Sequence, residues 1–181
     1  MTPKRFNSLQ IVLHWLLAGL ILISLTFGLF YLQPLTNDDN KITPLRIHML
    51  IGILIGILII FSVLVRLFTS QPDRLKSGHA LVDGLALVVH AVLRIGVIGM
   101  VISGIVLSVR AGLFAIVFAH SGAALPDDFS QYLPYQVHAL VARILMAVTA
   151  LHIVGALFHQ FVRKEKPFAR MGVGARSIQQ K

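Results

Sequence analysis

Cysteine is absent from this chain. That excludes disulfides, iron–sulfur clusters held by thiolates, and attachment of a haem through a C-x-x-C-H segment. Any haem must therefore be held without a covalent bond to the chain. Charge is scarce as well: Asp, Glu, Lys and Arg make up 13% of the residues, about half the ~25% usual in soluble domains. Carboxylates are scarcest, seven against sixteen Lys and Arg. Period-two alternation of apolar and polar residues is missing, which argues against a membrane β-barrel. What fills the chain is apolar, with 56% hydrophobic residues and a mean hydropathy of +0.83.

Four apolar stretches, residues 9–32, 43–68, 81–109 and 133–162, each exceed the roughly 20 residues that cross a bilayer as a helix. They predict an all-α membrane protein, a single domain over 1–181 built as a four-transmembrane-helix bundle. The first stretch follows Lys4 and Arg5 as a signal core would. It is too long for one, lacks a small-x-small cleavage site before Pro34, and contains His14 and Trp15. It reads as an uncleaved span.

A net charge of +9 would suggest nucleic acid for a soluble protein. Here the charge follows topology. Assigning the loops alternately gives one side Lys4, Arg5, Arg66, Arg74, Lys76, Arg163, Lys164, Lys166, Arg170, Arg176 and Lys181. The other side receives Lys41, Arg46 and Arg110, eleven against three. This positive-inside bias places both termini in the cytoplasm and makes anionic lipid, not nucleic acid, the partner of the excess charge.

The histidines carry the chemistry. His138 and His152 are fourteen residues apart in the fourth stretch, which leaves them about 40° apart on one helix face and separated by about 21 Å along its axis. Histidines inside a bilayer need partners, and an iron at each level would satisfy both. His14 and His48, near the starts of the first and second stretches, complete four candidate axial ligands for two bis-histidine irons. His48 and His138 each lie about five residues in from the external edge, so they pair. For the inner site, His152 and His14 differ in depth by about 7 Å. His90 in the third stretch matches His152 better, and depth alone leaves both open. His79 and His120 fall in loops and read as solvent-exposed.

Gly52 and Gly56 form a G-x-x-x-G, and Gly96, Gly99 and Gly104 interrupt the third stretch. These small residues serve close helix packing or leave room for a flat macrocycle. Residues 113–119 are too short to span and are expected to lie in the interface as a partial helix. The basic tail after Arg163 is expected to be poorly ordered.

Taken in order, Leu13-His14-Trp15-Leu16, His48, Val65-Arg66-Leu67, His138 and the Leu151-His152 and Leu157-Phe158-His159 runs resemble the bacterial cytochrome b561 family. That family is related to the b-type cytochrome subunits of nickel–iron hydrogenases and formate dehydrogenases. The resemblance covers about residues 5–165. It implies a multi-pass protein of the bacterial inner membrane with two non-covalent haem b groups. His14 and His152 would hold the cytoplasmic-side haem, and His48 and His138 the periplasmic-side one. It further implies electron transfer between a periplasmic donor, superoxide in some members, and the membrane quinone pool.

Bis-histidine ligation leaves no open position on iron, so no catalytic residue is assigned there. His159, seven residues beyond His152 on the same face, is a candidate neighbour of a quinone, as is His90, which shares a face with Arg94 at i,i+4. Arg46, Arg94 and Arg143 are costly in or near a bilayer and are candidate partners for haem propionates. The first functional expectation is a quinone-linked oxidoreductase of the superoxide:ubiquinone type. The alternative is a cytochrome subunit serving a partner hydrogenase or dehydrogenase. A histidine-lined metal or proton transporter is disfavoured by the near absence of intramembrane carboxylates, Asp83 being the nearest.

Overall fold

The computed structural model describes residues 5–73 and 78–174. Lys4, Arg74, Lys76, Arg176 and Lys181, five of the basic residues that set the charge bias, lie outside the described residues. Four long helices carry the fold: α1 (Ser8–Phe27), α2 (Asp39–Phe68), α3 (Ala80–Arg110) and α5 (Leu133–Leu157), with short helices α4 (Leu113–Val117) and α6 (Pro167–Arg170). No strand occurs among the described residues. The last turns of α1 and α5 widen into single π turns over Gly28–Leu32 and Phe158–Val162. With these turns included, all four long helices are long and apolar enough to cross a membrane, as the hydropathy predicts.

Local chemistry sets where the helices begin. Asn7 caps α1 by accepting from the Leu9 amide, while the Gln10 side chain accepts from the Asn7 amide in return. Asp38 caps α2 by accepting from the Asn40 amide, and Pro134 sits in the first turn of α5, where its missing N–H costs nothing. Away from the bundle axis the helices present bare hydrocarbon. Ile23, Ile60, Ile95, Leu140 and Val154 are all exposed, which is stable only if lipid covers them.

Packing is closest between α3 and α5 and between α1 and α2. Leu17, Leu25, Ile55, Val97, Ala142 and Leu145 form the mid-bundle core. A second core caps one pole, where Leu113, Ile116 and Val117 of α4 pack with Leu32, Leu45, Leu125 and Phe129. Residues 113–117 form the expected partial helix, and one face of it packs on the protein: Val117 is completely buried, while Phe114 is exposed, because the loop folds α4 back over the ends of α1 and α2. Asn37 ties this cap together by donating to the Pro126 and Asp127 carbonyls, both at 2.9 Å. Lys41 is buried beneath it, donating to the Leu35 carbonyl and to Asn37 Oδ1 while facing the Phe129 ring at 5.6 Å.

The opposite pole, which carries both described chain ends, is also laced. Gln10 donates to Thr69 Oγ1 at 2.9 Å, joining the start of α1 to the end of α2. The tail departs from the expectation of disorder up to residue 174. The Trp15 indole donates to the Met171 carbonyl at 2.9 Å, the Phe6 amide to the Arg170 carbonyl at 3.3 Å, and the Arg170 guanidinium to the Asp73 carbonyl. Ala169 is buried. The tail's few apolar residues and its backbone acceptors outweigh its charge in deciding this docking.

The close approach of α3 to α5 rests on a missing side chain. A Cβ at Gly96 would stand 2.6 Å from Leu145 Cδ2, and Leu145 is only 1% exposed, so it has nowhere to retreat. Gly96→Ala is expected to destabilise the bundle by about 1–3 kcal/mol, the usual cost of overpacking a filled core. Thermal unfolding in detergent would show a lower midpoint, partly recovered when Leu145→Val is added. An unchanged midpoint would mean that α3 and α5 do not pack this closely.

Candidate functional site

His48 of α2 and His138 of α5 face each other beneath the α4 cap, with ring centres 6.3 Å apart and planes at 79°. The cleft between them offers about 900 Å³ of space including its open side, and its lining, Gly52, Val97, Val101, Gly104, Ile105 and Leu145 among others, is almost wholly apolar. Each ring rests an edge on a glycine. A Cβ at Gly28 would lie 3.1 Å from His48 Cε1, and one at Gly104 would lie 3.3 Å from His138 Cε1. His48 Nδ1 is buried with no hydrogen-bond partner among the described residues. His138 Nδ1 stands 2.9 Å from Ser103 Oγ.

At the other pole, His14 of α1 and His152 of α5 repeat this geometry, with ring centres 6.4 Å apart and planes at 69°. His90 of α3 also faces His152, at 5.1 Å. An iron between two imidazoles, with bonds of about 2.0 Å and each ring centre about 1.2 Å behind its nitrogen, sets those centres about 6.4 Å apart. The His48–His138 and His14–His152 pairs meet that spacing; His90–His152 falls more than 1 Å short of it. No group of three or more His, Cys, Asp or Glu among the described residues converges to hold a metal ion. Two facing imidazole pairs, the second with His90 beside it, could each hold a macrocyclic iron between them. The glycine-floored, apolar cleft between His48 and His138 fits this too.

The arginines are placed differently from one another. Arg46 donates from Nε to the Val117 carbonyl at 2.9 Å and brings a terminal nitrogen 3.3 Å from His120 Nε2, at the exposed rim of the cap. Arg94 lies in the electrostatic neighbourhood of His90, together with Arg66. Arg143 is exposed and lies about 140° around α5 from His138, so it points away from the histidine face. His120 is exposed, as its loop position predicts, with a positive φ of 50°.

His159 falls in the π turn that ends α5, one of the irregular turns that recur at functional positions. Its Nδ1 is 2.8 Å from Glu165 Oε2, and the other oxygen of that carboxylate accepts from Arg163 Nε at 3.0 Å. His79, Val82, Phe158 and Arg163 line a pocket beside it. Residue types alone conceal Glu165, because it stands in a run of basic residues, and Ser103, because one serine in an apolar helix resembles any other.

The chain matches the family model described as prokaryotic cytochrome b561 over residues 5–174. A protein named probable superoxide oxidase CybB from Yersinia pestis is 28% identical over 175 residues, covering 93% of this chain and 96% of that one. Cytochrome b562 of Cereibacter sphaeroides is 26% identical over 172 residues, covering 92% and 94%. Cytochrome b561 homolog 2 of Escherichia coli K12 is 25% identical over 177 residues, covering 94% and 92%.

Glu165 gives this pole a pH dependence. Burial raises its pKa, but the hydrogen bonds and charges of Arg163 and His159 outweigh that and hold it below the usual glutamate value of 4.5. A depressed carboxylate stabilises the fold fully above its unfolded pKa and loses that contribution as pH falls through the folded value. The clasp that Glu165 makes with His159 and Arg163, at the root of the docked tail, is therefore expected to loosen below about pH 4.5. Trp15, the single tryptophan, reads the docking farther along the tail through its bond to the Met171 carbonyl: its emission should shift to the red over that acid range. Glu165→Gln should show the shifted emission already at pH 7. A variant that titrates like the wild type would detach Glu165 from the clasp.

Proposed function

The chain belongs to the prokaryotic cytochrome b561 family, and from that membership we propose that it carries electrons across the bacterial inner membrane to quinone through two haem b groups. At the level the family sets, it is a multi-pass bacterial membrane cytochrome of electron transport, an oxidoreductase with haem b as its cofactor. The finer reading assigns His48 and His138 to one haem and His14 and His152 to the other. The observation that carries it is the repeated spacing of the two pairs, 6.3 and 6.4 Å, on the shared helix α5. His90, closer to His152 than an intervening iron allows, is read as its neighbour.

Haem b would supply a one-electron couple here, and with His48 and His138, or His14 and His152, holding it, electron transfer would be favoured over oxygen binding. The rest is done by the chain. The mid-bundle core keeps the space between the two histidine levels dry, and the α4 cap seals the His48–His138 cleft from one side.

The positive-inside bias supports placing the pole with both described ends in the cytoplasm. At that pole His159 holds a proton at Nδ1 against Glu165, beside the pocket that Phe158, His79 and Arg163 line. This is the kind of group a quinone carbonyl needs as it takes up electrons. At the other pole the relative named probable superoxide oxidase supports superoxide as donor. Two superoxide anions each give one electron and leave as O₂, and one quinone takes two electrons and two protons to become a quinol. Arg46, at the exposed rim with His120, supplies positive charge where such an anion would approach.

Purified protein is expected to hold two low-spin haems b per polypeptide. His48→Ala and His138→Ala should each lose the same haem, His14→Ala and His152→Ala the other, and His90→Ala neither. Haem content by reduced-minus-oxidised spectroscopy decides it. Two intact haems in His48→Ala would end the pairing, and a haem lost from His90→Ala but kept in His14→Ala would reassign the inner site.

A further inference from the structure

Ser103 lies on α3, buried to 7% exposure, with its hydroxyl in two contacts at once. Oγ is 3.1 Å from the Met100 carbonyl one turn back and 2.9 Å from His138 Nδ1 across the interface with α5. A carbonyl only accepts, so the single hydroxyl proton goes to Met100. Nδ1 must then be the donor in the second contact. The two contacts of Ser103 together demand one tautomer of His138, with the proton on Nδ1 and the lone pair on Nε2.

The next residue completes the cradle. Gly104 lies under the same ring edge, where a Cβ would come within 3.3 Å of Cε1 and 3.6 Å of Nδ1. One dipeptide therefore both makes room for the ring and fixes its proton. Ser108, one turn further on, shows the contrast. Its hydroxyl donates to the Gly104 carbonyl of its own helix at 2.8 Å, the usual local bond of a helix serine. Across the cleft, His48 rests on Gly28 with its Nδ1 unpartnered among the described residues.

We propose that Ser103 is the positioning residue of the His48–His138 haem site, accepting the Nδ1 proton of His138 so that Nε2 is presented to iron. This rests on the ligand assignment made above. A ligating imidazole that donates its other N–H is fixed in orientation and made a stronger base. A haem so supported is held more tightly and is harder to reduce. Ser103 thus makes the two axial ligands of one iron unequal, one anchored through its outer nitrogen and one resting on packing alone.

The test compares wild type, Ser103→Ala and Ser103→Thr, each purified with its haems, by haem content and by potentiometric titration followed optically. Ser103→Ala should hold the His138-dependent haem about tenfold more weakly, the lower end of such effects on metal affinity, and its midpoint potential should rise. The His14–His152 haem should keep its potential. Ser103→Thr, which retains the hydroxyl, should restore both quantities. A Ser103→Ala protein with unchanged affinity and potential at a haem that His138→Ala removes would overturn the role of Ser103 alone. A change that Ser103→Thr fails to reverse would mark a packing effect and overturn it as well. A haem that survives His138→Ala would overturn the ligand assignment itself, and this inference with it.

Discussion

Hydrocarbon offers a histidine no hydrogen-bond partner, and that constraint organises this bundle. Each imidazole placed at membrane depth must find its partners inside the protein or in something the protein holds. The bundle supplies few. Ser103 serves one nitrogen of His138, while His48 keeps a buried nitrogen with none among the described residues. An unmet buried polar group costs about 1–3 kcal/mol, and on the proposed reading a haem held between each facing pair would satisfy one nitrogen of each ring. The glycines beneath the rings, the seam between α3 and α5 and the cap over one cleft all serve to hold that geometry.

How much of this is legible in the sequence depends on the length scale of the signal. The spans are read from runs of about 20 apolar residues, and the helices fall on them with edges moved by only a few positions. The shared face of His138 and His152 follows from helical period alone and needs no packing information. Weighing His14 against His90 does need it. Both rings face His152, and a difference of 6.4 against 5.1 Å between centres is invisible to estimates of depth. The docked tail escapes for a related reason. Its composition reads as solvated, while its anchors are backbone carbonyls of Arg170 and Met171 that no residue type announces.

Residues 113–117 show the same limit from the other side. A five-residue apolar helix has too little length to span and too little moment to place, and interface or cap are equally consistent with its residues. The choice is made by partners distant in sequence, Leu32 and Leu45 from two other helices and Phe129 from beyond the loop. Lys41 is settled by the same cap. A lysine near a helix start is ordinarily left in water, and this one is buried because the Leu35 carbonyl and Asn37 Oδ1 replace the water it loses.

The two ends of the bundle are thereby unequal in a way that suits vectorial electron transfer. Around His48 and His138 the surroundings are apolar, and the polar atoms in reach are few and fixed. Around His152 and His159 charge is dense and adjustable: Glu165 holds a histidine and an arginine together, and Arg66 and Arg94 lie near His90. A redox centre in dry, rigid surroundings exchanges electrons without protons, because nothing nearby can take one up. A centre beside a histidine–carboxylate pair at the rim can couple an electron to a proton. On the proposed reading, the donor that needs no proton meets the dry end, and the quinone, which needs two, meets the charged one. The direction of flow is then favoured by where protons can be supplied, independently of any difference between the two irons.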